Sequence, residues 1–193
     1  MWFITTSMSS IDVVLSQVFF SLGSISALSW LWIFCAQYIV DLLVIGAFVL
    51  LFKEKDRVRR WMFFWRIILM EAIGWGFMHT LFNWIFERTR PFQAIPSLHL
   101  LISRPLGSSF PSGHTMFMSA LTVVVWQMYP KWGKWFALAT VISGFSRVIV
   151  GAHWAGDILG GMVIVGVIAI VYFKLLPYKN SQEQREQAEV VSS

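Results

Sequence analysis

Long apolar runs separated by short polar connections constrain the fold of this chain more than any other feature. A helix needs about 20 apolar residues to cross the hydrocarbon core of a bilayer. Clear runs lie within Ile25–Phe52 and Trp61–Phe86, and shorter ones at about His114–Tyr129, Trp135–Val150 and Gly156–Leu176. Runs of this length are typical of membrane helices, which satisfy their backbone hydrogen bonds internally. The pattern therefore predicts an all-α integral membrane protein.

A further apolar segment, Ile11–Leu22, is short, so it suits an interfacial helix or a short sixth span equally well. We therefore expect a bundle of five to six transmembrane helices. The composition agrees, because 57% of the 193 residues are hydrophobic and only 13% are charged, against about 25% in a soluble domain. The length suits one membrane-embedded domain, residues 1–177. The polar tail, residues 178–193, is expected to be disordered and cytoplasmic.

The net charge of +5 is informative about topology. Basic residues cluster in the connections between apolar runs, at Lys53, Lys55, Arg57, Arg59, Arg60, Lys131, Lys134, Lys174 and Lys179. They lack the aromatic or glycine pattern of a nucleic-acid site, so no nucleic-acid partner is expected. The positive-inside rule places Lys53–Arg60 in the cytoplasm of a plasma-membrane protein. The connections Glu87–Pro111 and Gly151–Ala155 then face outward.

The outward connections carry residues capable of catalysis. Ser146-Arg147 is followed by His153 and Asp157, which are four apart and share one face of a helical turn. A carboxylate bonded to one imidazole nitrogen fixes the tautomer and makes the other nitrogen more nucleophilic. The alternatives are a metal-binding pair, which would need a third ligand such as His114, and a simple capping or packing pair.

Two upstream segments add matching groups. The segment Pro111-Ser112-Gly113-His114 precedes a predicted helix, whose free N-terminal amides can bind an anion while His114 donates a proton. Taken alone, the same segment reads more simply as a helix start capped by Ser112. Arg90-Pro91 ends the second apolar run, since proline cannot continue a helix. The basic residues near this face are all arginines, suited to bidentate phosphate contacts: Arg88, Arg90, Arg104 and Arg147.

Polar residues within the apolar runs need a place inside the bundle. On the second run they are spaced by multiples of four, which predicts one inward face: Glu71, His79, Asn83 and Glu87. We interpret His79 and Asp41 as structural groups with satisfied hydrogen bonds. In the long outer connection, Ile95–Ile102 is apolar enough to rest on the membrane interface, and loops of this length are often functional.

Three segments of the chain resemble the motifs of the type 2 phosphatidic acid phosphatase family. The family pattern is Lys, six residues, Arg-Pro; then Pro-Ser-Gly-His; then Ser-Arg, five residues, His, three residues, Asp. The second motif is complete at Pro111–His114 and the third at Ser146–Asp157. In the first, Arg90-Pro91 is present but Asn83 stands at the lysine position. The resemblance covers about Asn83–Gly161.

The resemblance implies a role for each matching residue. His153 would attack phosphorus and form a phosphohistidine, Asp157 would orient His153, and His114 would protonate the leaving group. The phosphoryl oxygens would be held by Arg90, Arg147, Ser112 and the Gly113 amide. No metal or other cofactor would be needed. Arg88 is a candidate substitute for the missing lysine, and Asn83 a candidate accessory residue.

These observations predict a metal-independent membrane phosphatase that acts on a lipid phosphate or diphosphate at the outer face. Undecaprenyl diphosphate is the first choice of substrate, because family members with that activity also lack the lysine and share the stretch Phe145–His153, although they often carry Asp at Gly113. The alternative substrates are phosphatidylglycerophosphate and phosphatidate. A non-catalytic lipid-phosphate binding or transport protein is an alternative of another class, against which the presence of both His114 and His153 argues. The sequence does not indicate an oligomeric state.

Overall fold

The computed structural model of the chain describes residues 4–5, 10–23 and 25–178, so the predicted tail lies outside the described residues after Tyr178. In this part, helices dominate. The α-helices are α1 Ser10–Gly23, α2 Ser26–Gln37, α3 Ile39–Lys53, α4 Arg57–Glu71, α5 Thr80–Ile85, α6 Pro91–Ala94, α7 Gly113–Met128, α8 Pro130–Ile149 and α9 Ala155–Leu175. A π-helical segment, Ala72–His79, joins α4 to α5, and the two-residue strands β1 (Ile4–Thr5) and β2 (Phe86–Glu87) pair in parallel.

The predicted helical character is confirmed for the described residues. By length and composition, two helical stretches there can cross a membrane: Arg57–Ile85 and Ala155–Leu175. A third candidate is the pair α1 and α2, which are bent by 118° relative to each other. The count of five to six transmembrane helices stays a prediction, as does the choice between an interfacial and a spanning Ile11–Leu22.

The first predicted span, Ile25–Phe52, is divided into two helices. α2 and α3 meet at Tyr38, whose backbone (φ −104°, ψ −14°) interrupts the regular pattern. The last carbonyl groups of a helix have no partner within it. One of them, the carbonyl of Ala36, accepts a hydrogen bond from Nη1 of Arg147 at 3.2 Å. The break in the helix therefore provides a backbone acceptor for a buried arginine of α8.

The core of the bundle is built around α7. This helix is buried on nearly all sides and packs against α3, α4, the π segment, α8 and α9. A helix that is apolar around its whole circumference is expected at such a central position. Small residues allow its neighbours to approach closely: a Cβ atom at Gly144 of α8 would lie 2.7 Å from Ile158 of α9.

The basic connection between α3 and α4 lies at the C-terminal end of α7. Arg59 donates to the carbonyl of Met128 at 2.8 Å, and the Tyr129 hydroxyl donates to Glu54 at 2.8 Å. The N-terminus of α7, at Gly113, lies about 24 Å away along this 16-residue helix. The basic connection and the motif residues thus occupy opposite ends of the bundle. Which end faces the cytoplasm stays a prediction.

Apolar residues of the segment Ile95–Ile102 pack on the protein, and its position relative to the membrane interface stays a prediction. Ile95 and Leu98 are buried in one cluster with Trp154 and side chains of α1. The following apolar residues pack against the end of α2 and the turn that follows α8. The side of this turn that faces the long connection is apolar, so the connection packs against it. As a result the long connection encloses the segment that carries His153.

Candidate active site

A cavity of about 460 Å³ opens at the N-terminal end of α7. Helix α3, the π segment, α5 and α8 contribute to its wall, together with the connections on either side of α6 and the turn before α9. The predicted site residues in this wall are Asn83, Arg90, Gly113, His114, Arg147 and His153. Residues from separate segments of the sequence therefore face one space.

His153 lines the cavity, and each of its ring nitrogens has a neighbour. Its Nδ1 lies 2.9 Å from the carbonyl oxygen of Ser109. A carbonyl oxygen can only accept, so Nδ1 carries the proton and Nε2 keeps its lone pair. Burial lowers the pKa of His153 to about 4, and the charges of Arg147 and Arg90 act in the same direction, while Asp157 opposes them. The imidazole is therefore neutral at pH 7.

Asp157 lies behind His153 in the first turn of α9 and is fully buried. Its Oδ2 accepts hydrogen bonds from the Ser109 hydroxyl and, at 2.9 Å, from the backbone N–H of Trp154. The same oxygen lies 3.5 Å from Nδ1 of His153. The predicted pairing of Asp157 with His153 is present, but the nearer acceptor for Nδ1 is the carbonyl of Ser109. Sequence reasoning missed Ser109, since only the fold brings it beside this pair.

Two buried arginines bring positive charge to the cavity. Arg90 donates to the carbonyls of Leu106 (3.1 Å), Ser108 (3.0 Å) and Ala152 (3.0 Å), and its Nη1 lies 3.2 Å from Nε2 of His153. The Nη1 atom of Arg147 donates a hydrogen bond to the backbone carbonyl of Ala36 in α2. Neither arginine has a carboxylate within ion-pair distance among the described residues. Neither charge is therefore matched by a direct ion pair, although Asp41 lines the same cavity, and two such guanidinium groups suit the binding of an anion.

The Pro111–His114 motif divides between a structural and a cavity-facing role. Ser112 caps α7: its hydroxyl accepts from the backbone N–H of Thr115 at 3.5 Å and from the hydroxyl of the same residue at 3.1 Å. Gly113 and His114 line the cavity. A Cβ atom on Gly113 would lie 2.9 Å from Nε2 of His79. Glycine is therefore required for this close approach unless the His79 ring moves.

The two residues considered for the missing lysine lie in different places. Arg88 is behind Asp157, where it forms ion pairs with Asp157 and Asp12, and not in the cavity wall. Asn83 does line the cavity, and its amide donates to the carbonyl of Ser108 at 3.2 Å. In this structure Asn83 ties the loop to α5. A lysine side chain at its position would place a cation near the cavity instead.

The π segment explains why the predicted polar stripe divides. A π-helical turn holds more residues than an α-helical turn and shifts the phase of the side chains that follow, and such segments are frequent at functional sites. His79 and Asn83 face the cavity, together with Asp41 of α3. Glu71 instead lines a second, apolar cavity of about 410 Å³. Its carboxylate oxygens are buried and have no hydrogen-bond partner among the described residues.

The two cavities share part of their walls. Val44, Trp75 and Phe117 contribute to the walls of both. The second cavity is lined almost entirely by apolar side chains of α3, α4, the π segment and α7. A space lined by two arginines and an apolar groove thus lie side by side. Across the described residues, no group of three or more His, Cys, Asp or Glu side chains is arranged to hold a metal ion.

The sequence of this chain matches a known protein family. The sequence profile of the PAP2 superfamily matches residues 61–181, more than half of the chain. The chain belongs to the PAP2 superfamily. The match includes all the motif residues, from Asn83 to Asp157, and the family resemblance noted in the sequence is confirmed.

Individual PAP2 relatives match over shorter segments. An undecaprenyl-diphosphatase of Sulfolobus acidocaldarius is 32% identical over 84 residues, which cover 42% of this chain and 40% of that protein. The undecaprenyl-diphosphatase BcrC of Bacillus subtilis is 32% identical over 94 residues, covering 49% and 48%. The matched segment thus spans less than half the length of either relative.

The fold is shared with a solved PAP2 structure. A transmembrane PAP2-type phosphatidylglycerolphosphate phosphatase from Bacillus subtilis superposes with a TM-score of 0.56, covering 89% of this chain and 88% of that one at 21% identity. Together with the candidate membrane spans, this likeness identifies the chain as a multi-pass membrane protein.

Proposed function

We propose that this PAP2 protein is a membrane phosphatase that hydrolyses a lipid phosphate or diphosphate through a phosphohistidine at His153. The observation that carries the proposal is the state of His153. Its Nδ1 is bound by a carbonyl acceptor, and its unprotonated Nε2 lies 3.2 Å from Nη1 of Arg90, in a residue that lines the cavity together with Arg90 and Arg147. A neutral imidazole beside two arginines that have no direct ion pair is suited to attack a bound phosphate.

In the first step, the Nε2 lone pair attacks phosphorus and the P–O bond to the leaving group breaks. His114 donates a proton to the departing oxygen, and the charge of the bound phosphate favours the protonated form of His114. The His153 ring becomes positively charged. Asp157 and the Ser109 carbonyl stabilise that charge, while Arg90 and Arg147 hold the phosphoryl oxygens.

In the second step, water attacks phosphorus and the P–N bond breaks, which restores neutral His153. His114, now unprotonated, accepts the proton from that water. Inorganic phosphate leaves and His114 is ready for another cycle. The electron pair of the P–N bond returns to Nε2, so each turnover consumes one water molecule. In this proposal no metal is required.

The apolar groove supports a lipid substrate. It adjoins the anion-binding cavity and has space for part of a hydrocarbon chain. Undecaprenyl diphosphate is the favoured substrate, because two relatives with 32% identity are undecaprenyl-diphosphatases. Phosphatidylglycerophosphate is the second candidate, on the basis of the structural neighbour. The basic connection at the opposite end of the bundle supports an active site on the extracytoplasmic side of the plasma membrane.

The test is phosphate release by the purified protein in detergent with EDTA present. The substrates are undecaprenyl diphosphate, phosphatidylglycerophosphate, phosphatidate and a short-chain phosphate ester. We expect release from the long-chain diphosphate to be fastest and His153→Ala to abolish it. His99→Ala, an exposed histidine in the outer connection, is the matched control and should keep wild-type rates.

Other outcomes separate the alternatives. Preference for a glycerolipid would move the proposal to phospholipid metabolism, and equal rates with the short-chain ester would contradict a lipid-specific groove. Binding of these lipids without release from any of them would favour the non-catalytic alternative. Near-wild-type turnover by His153→Ala would rule out the phosphohistidine.

A further inference from the structure

We propose that Asp12, on α1, is a positioning residue that acts through Arg88 on Asp157 and so on the reactivity of His153. This inference rests on the proposed phosphatase function. Asp12 lies outside the residues 61–181 that match the PAP2 profile, and it belongs to none of the sequence motifs. The N-terminal helix is thereby made part of the active site.

The contacts form a continuous buried chain. Arg88 uses Nη1 to pair with Oδ1 of Asp157 and Nη2 to pair with Oδ2 of Asp12. The exposed fractions of the three side chains are 8% for Arg88, 11% for Asp12 and 0% for Asp157. The other Asp12 oxygen accepts the backbone N–H of Gly156 at 2.9 Å. Asp12 therefore holds both the cation next to Asp157 and the backbone one residue before it.

The surroundings leave this chain of contacts little freedom. The backbone N–H of Arg88 donates to the Ser108 hydroxyl at 3.1 Å, and its carbonyl accepts from the N–H of Ser109 at 2.8 Å. The guanidinium lies over the buried ring of Trp154, 5.7 Å from the centroid. A Cβ atom at Gly156 would lie 3.1 Å from Asp12 and 3.4 Å from Arg88. The three charged groups are thus closely packed by their surroundings.

Charge counting gives Asp12 a role beyond packing. With one guanidinium and two carboxylates, the group Asp12, Arg88 and Asp157 carries one net negative charge. Without the Asp12 carboxylate, Arg88 and Asp157 would form a neutral pair, and the guanidinium would compete fully with His153 for Asp157. Since the His153 ring becomes positive when it is phosphorylated, the net negative charge behind it stabilises the intermediate.

The other charged groups around His153 form no ion pair with this group among the described residues. His153 also faces Arg90 from the connection before α6, Arg147 from α8 and His114 from α7. Those three remain in place when Asp12 or Arg88 is substituted. A change in the pH profile of such variants therefore reports on the group Asp12, Arg88 and Asp157.

Two substitutions separate the electrostatic role from a structural one. Asp12→Asn keeps an oxygen for the Gly156 N–H but removes the charge, and Arg88→Gln removes the cation. We expect kcat to fall on the order of 10-fold in Asp12→Asn, as for partners that orient a reactive group from behind, with KM little changed. The acid limb of the kcat/KM profile should move to lower pH in Asp12→Asn and to higher pH in Arg88→Gln.

The matched control is Glu54→Gln, which neutralises an ion-paired carboxylate at the opposite end of the bundle, 3.2 Å from Arg59. It should keep the wild-type kcat and pH profile. A loss of folded protein that is the same at every pH does not move the acid limb, and acid unfolding would move the limbs of both variants to higher pH. Ionisation of the substrate is common to all variants. Partial loss of folding therefore cannot imitate the two opposite shifts.

The outcomes distinguish this inference from the proposed function. If the wild type releases no phosphate from any substrate, the proposed function fails. If the wild type is active but Asp12→Asn keeps the wild-type kcat, the positioning role is overturned. Shifts of both acid limbs in the same direction, or no shift in either, would also overturn it and leave Asp12 a structural residue.

Discussion

Replacement of Asp157 by Asn tests the charge behind His153 directly. The carboxylate accepts hydrogen bonds from Arg88, the Ser109 hydroxyl and the backbone N–H of Trp154, and Nδ1 of His153 lies 3.5 Å away. An amide has the same shape but offers one oxygen and two donors. Whichever way it is oriented, the NH2 group faces a donor, and no negative charge remains to stabilise the phosphorylated ring.

The distance between the Asp157 carboxylate and the His153 ring sets the expected size of the loss in rate. Two unit charges 3.5 Å apart interact by about 5 kcal/mol at an effective dielectric constant of 20. That energy corresponds to a factor of about 10³ to 10⁴ in rate. The pairing of Asp157 with Arg88 reduces the field at His153, so about 10³ is expected. The lost charge-assisted hydrogen bonds also destabilise the fold, by about 2–3 kcal/mol.

The assay is a steady-state measurement of phosphate release by Asp157→Asn in detergent, with the wild type and His153→Ala measured in parallel. We expect kcat to fall about 10³-fold with KM little changed, because Asp157 lies behind His153 and outside the cavity wall. Thermal unfolding of the same samples shows how much protein is folded. A folded Asp157→Asn protein within 10-fold of the wild-type kcat would refute the argument that this charge stabilises the intermediate.

Two other predictions follow from the same site. His114→Ala should lower kcat by about 10²–10⁴ for an alkyl phosphate but much less for p-nitrophenyl phosphate, whose leaving group needs no proton; equal losses for both would exclude His114 as the general acid. The pKa of His153 is about 4 in the fold and about 6.5 in an unfolded chain, so the unfolded state binds more protons between these two pH values. The contribution of His153 to the free energy of unfolding is therefore complete above pH 6.5 and falls as the pH drops towards 4. Thermal unfolding of the wild type should show this loss, up to about 3 kcal/mol, and His153→Ala should lack it while His99→Ala retains it.

The motif residues could be predicted from the sequence because their spacing places reactive side chains close together on a helical turn. His153 and Asp157 are four apart, and the apolar runs with a basic connection place them at the same end of a bundle as Arg90 and His114. In the structure one cavity is lined by His153, His114, Arg90, Arg147 and Gly113, and their catalytic and binding roles stay predictions. A cap at Ser112 was also visible as an alternative, since Ser before a helix is a common N-cap.

Other parts of the site depend on contacts that no local pattern encodes. Ser109 accepts the Nδ1 proton through its backbone carbonyl, a group that every residue has. Asp12 approaches Arg88 only because α1 packs against α8 and α9, and nothing in its sequence neighbourhood marks it. The π segment changes the phase of the polar stripe, so His79 faces the cavity and Glu71 the apolar groove, which a regular 3.6-residue period does not predict.

Hydrophobic length and charge placement determined, from the sequence alone, that the chain is a helical membrane protein with its reactive residues at one end. This was possible because the bilayer penalises unsatisfied backbone and unpaired charge, so few architectures suit such a pattern. The tertiary structure decided what each reactive residue contacts. It placed Arg88 behind Asp157 instead of in the cavity, divided the first predicted span at Tyr38 and packed Ile95–Ile102 on the protein. These outcomes depend on long-range packing, in which distant segments compete for the same buried partners.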